Sequence, residues 1–246
     1  MLLSTLQFLS AALCSMAAAH VVGVSDGEIP IIAFLIPSLW LTLRFSSLVL
    51  LVTLGAFAAT LPLQPVALSV SQWVVIPLLM VVFSARSNWR VVAVCAWMAI
   101  TLYVGIMVTQ SAGKLEGSPL ITLGQLLLVM LTWWVARGWQ PSPSHHWWAL
   151  GLLVPLWVAE QFDAVAIALL LTGMLAAGEP LLSKSASVIN WSHLLGWSLP
   201  CVSFATLVLS PSIEIPKPVF VLWISILATA WITDYVLKST EQAPQP

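Results

Sequence analysis

Apolar residues run along this chain in long unbroken stretches, and polar residues collect in the gaps between them. A helix needs roughly 17–25 apolar residues to cross the hydrocarbon of a bilayer. The stretches 2–24, 46–63, 66–83, 91–109, 119–136, 164–182, 188–209 and 218–237 meet that length. Two more, 29–43 and 147–158, are shorter. Joining 147–182 into one helix would place Glu160 and Asp163 near its middle. Two helices with a turn at Glu160-Gln161-Phe162-Asp163 keep those charges out of lipid at less cost. The pattern therefore predicts ten crossings.

Lipid offers no partner to backbone N–H and C=O groups, so only helices and closed barrels span it. A barrel strand alternates apolar and polar positions, and these stretches are continuous. The expected fold is an all-α polytopic membrane helix bundle of about ten transmembrane helices. It forms a single transmembrane domain over 1–246, with a short polar C-terminal tail at 239–246.

Composition agrees. Hydrophobic residues make up 60% of the 246 and charged residues 7%, against about 25% charged in soluble domains. A net charge of −1 with no basic stripe gives no means of neutralising phosphates, so nucleic acid is excluded as a partner. Membrane lipid is the expected surrounding, with other membrane subunits or a homo-oligomer as further partners. Residues 2–19 resemble a signal peptide, ending in Ala17-Ala18-Ala19, but no Lys or Arg precedes them. A secretory n-region is positive, so the segment reads as the first transmembrane helix.

Charge then orients the bundle. With the N-terminus inside, the inner gaps hold Arg44, Arg86, Arg90, Arg137, Lys184 and Lys238, and the outer gaps only Lys114 and Lys217. That asymmetry follows the positive-inside rule and puts both termini in the cytoplasm, in a cell membrane of the bacterial inner-membrane kind. Nine crossings would move Lys184 and Lys238 outside. Most tryptophans fall near the ends of the stretches, where indole favours the interface. Trp97 and Trp197 fall mid-stretch and are expected to pack.

The ten stretches divide into halves at 1–117 and 118–238. The second and seventh are the short ones, with interior prolines Pro37 and Pro155; the fourth and ninth carry Pro77 and Pro200. Five crossings per half would invert one half relative to the other. In transporters of that plan, short or proline-interrupted helices at matching places mark the binding site. Chance also accounts for matched prolines, which are frequent in membrane helices.

Few groups could carry chemistry. Glu160 and Asp163 share a face if their turn is helical. Such a pair could bind a cation or relay a proton, or simply cap the turn in water, with Asp163 at a helix N-terminus. His193 and His20 are proton-carrier candidates if buried. Asp234 and Lys238 suit an i,i+4 pair, and Glu179 with Lys184 frames an inner turn expected to face water. Gln7, Gln72, Gln125, Tyr103, Ser198, Ser203 and Thr206 read as helix–helix hydrogen-bonding groups. Gly55/Ala59 and Gly173/Ala177 are spaced for close helix contact. Cys14, Cys95 and Cys201 stand apart without metal-ligand spacing. Phosphate-loop, nucleophile-elbow, zinc and dinucleotide signatures are missing, so no cofactor and no metal are expected. A small-molecule or ion transporter is the leading expectation. The alternative is a non-catalytic membrane subunit or assembly factor of a larger complex. An intramembrane enzyme acting on a lipid-soluble substrate comes third, because catalysis needs several convergent polar groups.

Overall fold

The computed structural model describes residues 2–40, 45–137, 145–182 and 189–242. Among these residues there are helices and no strands. In chain order they are α1 (Leu2–Val24), α2 (Ile31–Trp40), α3 (Phe45–Thr60, continued by a 3-10 turn Leu61–Leu63), α4 (Val66–Ser71), α5 (Val75–Val82), α6 (Trp89–Ser111), α7 (Pro119–Arg137), α8 (Leu153–Val158), α9 (Phe162–Leu182), α10 (Trp191–Leu209) and α11 (Lys217–Gln242). A 3-10 turn, Gln72–Val74, joins α4 to α5, and another, Trp147–Leu152, leads into α8. Helix thus occupies each of the ten apolar stretches. α11 continues through Gln242, into the segment read as a polar tail.

By length and composition, six helices can cross a membrane: α1, α6, α7, α9, α10 and α11. The other four stretches form apolar helices of 10–17 residues. The chain is therefore an integral membrane protein. Its outward faces fit that environment: Leu120, Trp97 and Trp134 are each more than 70% exposed. Trp97 points out of the bundle and not into it, because α6 lies at the margin and packs chiefly on α11.

The prolines act on the backbone in two ways. A proline has no N–H for the carbonyl four residues back, and its ring crowds that carbonyl. For Pro77 and Pro155 those carbonyls belong to Trp73 and Gly151, and both residues lie in 3-10 turns that interrupt the helix. Pro37 and Pro200 stay inside continuous helices, α2 and α10. Each matched pair therefore contains one broken and one continuous helix.

Packing follows small residues. α1 lies along α9 and α10, α3 along α7, and α2 against α3, α9 and the Trp147–Leu152 turn. The α4–α5 segment packs on α10 and α11. A methyl group at Gly173 would stand 3.3 Å from Cys14 Sγ, and one at Gly55 would stand 3.0 Å from Leu35 Cδ2. These glycines bring α9 to α1 and α3 to α2, as their spacing predicted. Lipid is as apolar as leucine, so such close approach and hydrogen bonds hold helices together in place of the hydrophobic effect.

One hydrogen-bonded cluster is buried except at Thr60, which is half-buried. Gln64 Nε2 donates to Gln125 Oε1, and Gln125 Nε2 donates to Thr60 Oγ1 at 3.0 Å and Ser69 Oγ at 3.1 Å. The Thr122 hydroxyl lies 3.0 Å from both Gln64 Oε1 and Gln110 Oε1. This cluster ties the end of α3 to α4, α6 and α7. Ser15 Oγ and Ser203 Oγ, 2.6 Å apart, link α1 to α10. The expectation fails for Gln72 and Tyr103. Both are buried, and neither amide atom of Gln72 nor the Tyr103 hydroxyl has a hydrogen-bond partner among the described residues. Gln7 Oε1 and Ser198 Oγ also lack one, and Thr206 bonds only within its own helix. Asp234 and Lys238 form the i,i+4 pair near the end of α11.

Candidate functional site: an acidic cleft at one end of the bundle

Two helix ends build the site. α1 stops at a turn in which Gly27 N donates to Val22 O at 3.1 Å. Asp26 (φ 50°) and Gly27 (φ 76°) take left-handed conformations there. α8 stops in the same way: Glu160 N donates to Trp157 O at 3.0 Å and Gln161 N to Leu156 O at 3.1 Å, with Glu160 at φ 57°. Such C-terminal stops usually employ glycine, which has no Cβ to crowd the carbonyl. Asp26 and Glu160 are the only non-glycine residues with positive φ among the described residues, and both are acidic.

Asp163 then opens α9 in its first turn, where a carboxylate complements the helix dipole. Glu160 and Asp163 are both solvent-exposed. They also line an open cleft of about 610 Å³. Glu28, from the α1–α2 connection, is a third carboxylate in the lining. Pro30, Ala58, Ala59, Pro62 and Phe162 supply apolar wall, and among the described residues no Lys, Arg or His lines the cleft. The carboxylates do not converge tightly. Among the described residues no group of three or more His, Cys, Asp or Glu side chains could hold a metal ion.

The other sequence candidates lie elsewhere. Pro37, Pro77 and Pro200 are buried, Pro155 is exposed, and none lines the cleft. His20 is exposed near the end of α1. His193 is half-buried on α10, and its Nε2 accepts a hydrogen bond from Trp197 Nε1 at 3.1 Å.

Sequence reasoning missed Glu28, because only the packing of α1 and α2 on α9 brings its gap beside residues 160–164. It also misjudged Glu179, expected in water. Glu179 is 8% exposed, three residues before the end of α9, with Oε2 3.5 Å from His145 Nε2. Lys184, its expected companion, lies outside the described residues. Arg86, Arg90, Arg137 and Lys238 lie at this end of the bundle, away from the cleft. The membership of Glu179 in a long apolar helix was the available signal.

Glu160 allows a local test. Glycine there should remove the left-handed penalty and raise stability by up to about 1 kcal/mol, read by thermal unfolding in detergent. A loss of stability would show that the Glu160 side chain holds the turn.

No protein-family model matches the chain, and neither a curated protein nor a solved structure matches it.

Proposed function

We propose that the protein is a membrane transporter for small cationic molecules or ions, working by alternating access with the acidic cleft as its vestibule. The cleft carries this reading: about 610 Å³ of open space, within the range of small-molecule sites, lined by three carboxylates and, among the described residues, no base. A carboxylate about 6 Å from a monovalent cation contributes about 0.7–3 kcal/mol between aqueous and near-surface dielectric. The ring of Phe162 adds a face suited to an organic cation.

On this reading all ten helical stretches cross the membrane, and residues 1–117 and 118–238 are inverted repeats. The helix packing supports it. Exchange α1 with α7, α2 with the 147–158 segment, α3 with α9, the α4–α5 segment with α10, and α6 with α11. The α1–α9 contact then becomes the α7–α3 contact, and both are extensive. Contacts of α2 with the Trp147–Leu152 turn, of α4–α5 with α10, and of α6 with α11 map onto themselves.

The contact of the α4–α5 segment with α11 lacks a counterpart of similar extent between α10 and α6, and the α2–α9 contact lacks one between α3 and the 147–158 segment. That counterpart is where the cleft opens, between Ala58, Ala59 and Pro62 on one side and Glu160 on the other. The two halves are therefore packed differently, and the cleft lies at one of those differences, where alternating access between two halves would act. The end away from the cleft carries Arg86, Arg90, Arg137 and Lys238, and the cleft end Lys114 and Lys217. The positive-inside rule then makes the cleft outward-facing, with both termini in the cytoplasm.

Calorimetric binding of tetraethylammonium to the purified protein tests the site. The Glu160→Gln/Asp163→Asn double variant should bind at least about tenfold more weakly. Glu214→Gln, an exposed acid outside the cleft lining, should bind like wild type. Equal affinity in all three proteins would remove the cleft from the mechanism.

A further inference from the structure

Two polar side chains deep in the bundle stand apart from its hydrogen-bonded cluster. Gln72 is 0% exposed and Tyr103 is 3% exposed. Among the described residues neither amide atom of Gln72 nor the Tyr103 hydroxyl has a partner. Gln72 opens the 3-10 turn that breaks the α4–α5 segment, and that turn packs on α7, α10 and α11. Tyr103 lies on α6.

The buried glutamine cluster relates their positions. α4 and α7 start side by side, with Gly117 against Gln64, and α6 runs back toward them. Gln110 of α6 meets Thr122 of α7, and Ser69 of α4 meets Gln125 of α7. Thr122 and Gln125 are three residues apart, as are Ser69 and Gln72. At 1.5 Å per residue, Gln72 therefore lies about 9 Å deeper in the bundle than Gln110. Tyr103 comes seven residues before Gln110 on α6, which makes it about 10 Å deeper. The two side chains thus stand at about one depth. Each also lies on the helix face that carries the cluster. Ser69 and Gln72 are spaced i,i+3, and Tyr103 and Gln110 are two turns apart. Tyr103 packs in one buried apolar cluster with Leu68 and Val75, the residues one turn before and after Gln72.

Their chemistry limits what could bind. A polar atom shut away from water without a partner is disfavoured, and more so inside a bilayer. Gln72 offers two N–H donors and a carbonyl acceptor, and the Tyr103 hydroxyl both donates and accepts. No charged residue occurs in 66–82, 91–110, 119–136 or 218–233, so no side chain of these segments balances an ion there. The matching ligand is small and uncharged, and it both donates and accepts.

We propose that Gln72 and Tyr103 form a buried binding site for water in the interior of the bundle. A buried water makes about three hydrogen bonds to groups that otherwise have no partner, and the Gln72 amide and Tyr103 hydroxyl supply them. Water bound here hydrates the bundle where the α4–α5 segment is broken. The inference goes beyond the cation reading of the cleft and does not depend on it.

X-ray radiolysis converts water where it stands into hydroxyl radicals, which oxidise the side chain beside it. The full chain is irradiated in nanodiscs and digested, and oxidation at single residues is read by mass spectrometry. Phe204 is the dry reference, 0% exposed and packed on the Trp223 ring at 4.9 Å. Phe162, exposed in the cleft lining, is the wet one. Tyr103 should be oxidised at least about tenfold faster than Phe204, because bound water reaches it. Gln72→Met keeps the length of the side chain and removes its amide. It should lower Tyr103 oxidation at least about tenfold, as the water loses its partners, and leave Phe162 unchanged.

Tyr103 oxidised no faster than Phe204 in the wild type overturns the site. So does Tyr103 oxidation that persists in Gln72→Met while Phe162 is unchanged. The wild-type comparison decides by itself if Gln72→Met does not assemble. Tetraethylammonium binding is read separately, so a dry Tyr103 leaves the cation reading standing, and a hydrated one does not rescue it.

Discussion

Leucine in place of Gly173 is expected to cost about 3 kcal/mol or prevent assembly. Gly173 lies on α9 where that helix runs along α1, and even a methyl group would stand 3.3 Å from Cys14 Sγ. A branched side chain cannot enter without parting the two helices. Overpacking a close contact costs about 1–3 kcal/mol, and the upper end applies because the α1–α9 contact is the most extensive in the bundle. Lipid fills in wherever helices separate, so no hydrophobic penalty pulls them back. Gly124→Leu is the control. Nothing lies within 4 Å of the position a side chain would take there, so it should be neutral within about 0.5 kcal/mol. Unfolding of both variants by a denaturing detergent reads the difference. Equal stability would mean that α9 does not depend on close approach to α1.

Gln125→Leu is expected to cost about 2 kcal/mol. Gln125 is fully buried and hydrogen-bonds Gln64, Thr60 and Ser69. Each such bond in a membrane interior contributes about 0.6–2 kcal/mol, and a polar group left without a partner costs a further 1–3 kcal/mol or so. Some partners survive the loss. Thr60 Oγ1 still donates to Phe57 O at 2.7 Å, and Gln64 Nε2 still reaches Ser69 Oγ at 3.2 Å. The expected cost therefore stays near the lower end of the combined range. Thr122→Val, at the edge of the cluster, should cost about half as much. Unchanged unfolding of Gln125→Leu would show that the cluster is tolerated and not stabilising.

Much of the fold is written in the apolar pattern because a bilayer demands long uninterrupted stretches. All ten stretches are helical, and the turn at Glu160 falls where two buried charges made one long helix too costly. The pattern does not show how a proline is accommodated. Pro37 and Pro200 sit inside continuous helices while Pro77 and Pro155 follow 3-10 turns. Burial was also hidden. Gln125 and Gln72 look alike in sequence, yet one is saturated with hydrogen bonds and the other has none.

The site was half legible. Glu160 and Asp163 stood out because charge is rare in this chain. The cleft that gives them a surface also needs Glu28, 132 residues before Glu160, and no local pattern joins those positions. Glu179 was misread although its place in a long apolar helix was a signal. A carboxylate near the end of an apolar stretch ordinarily reaches water, and only its packing against His145 shows otherwise.

Transport itself is the most direct test of the central claim that this bundle moves cations through its acidic cleft. Purified protein in liposomes should take up labelled tetraethylammonium saturably. Glu160→Gln/Asp163→Asn should reduce the initial rate at a low, fixed concentration by at least about tenfold. Uptake no faster than in protein-free liposomes, or equal uptake by the wild type and the double variant, would contradict the account.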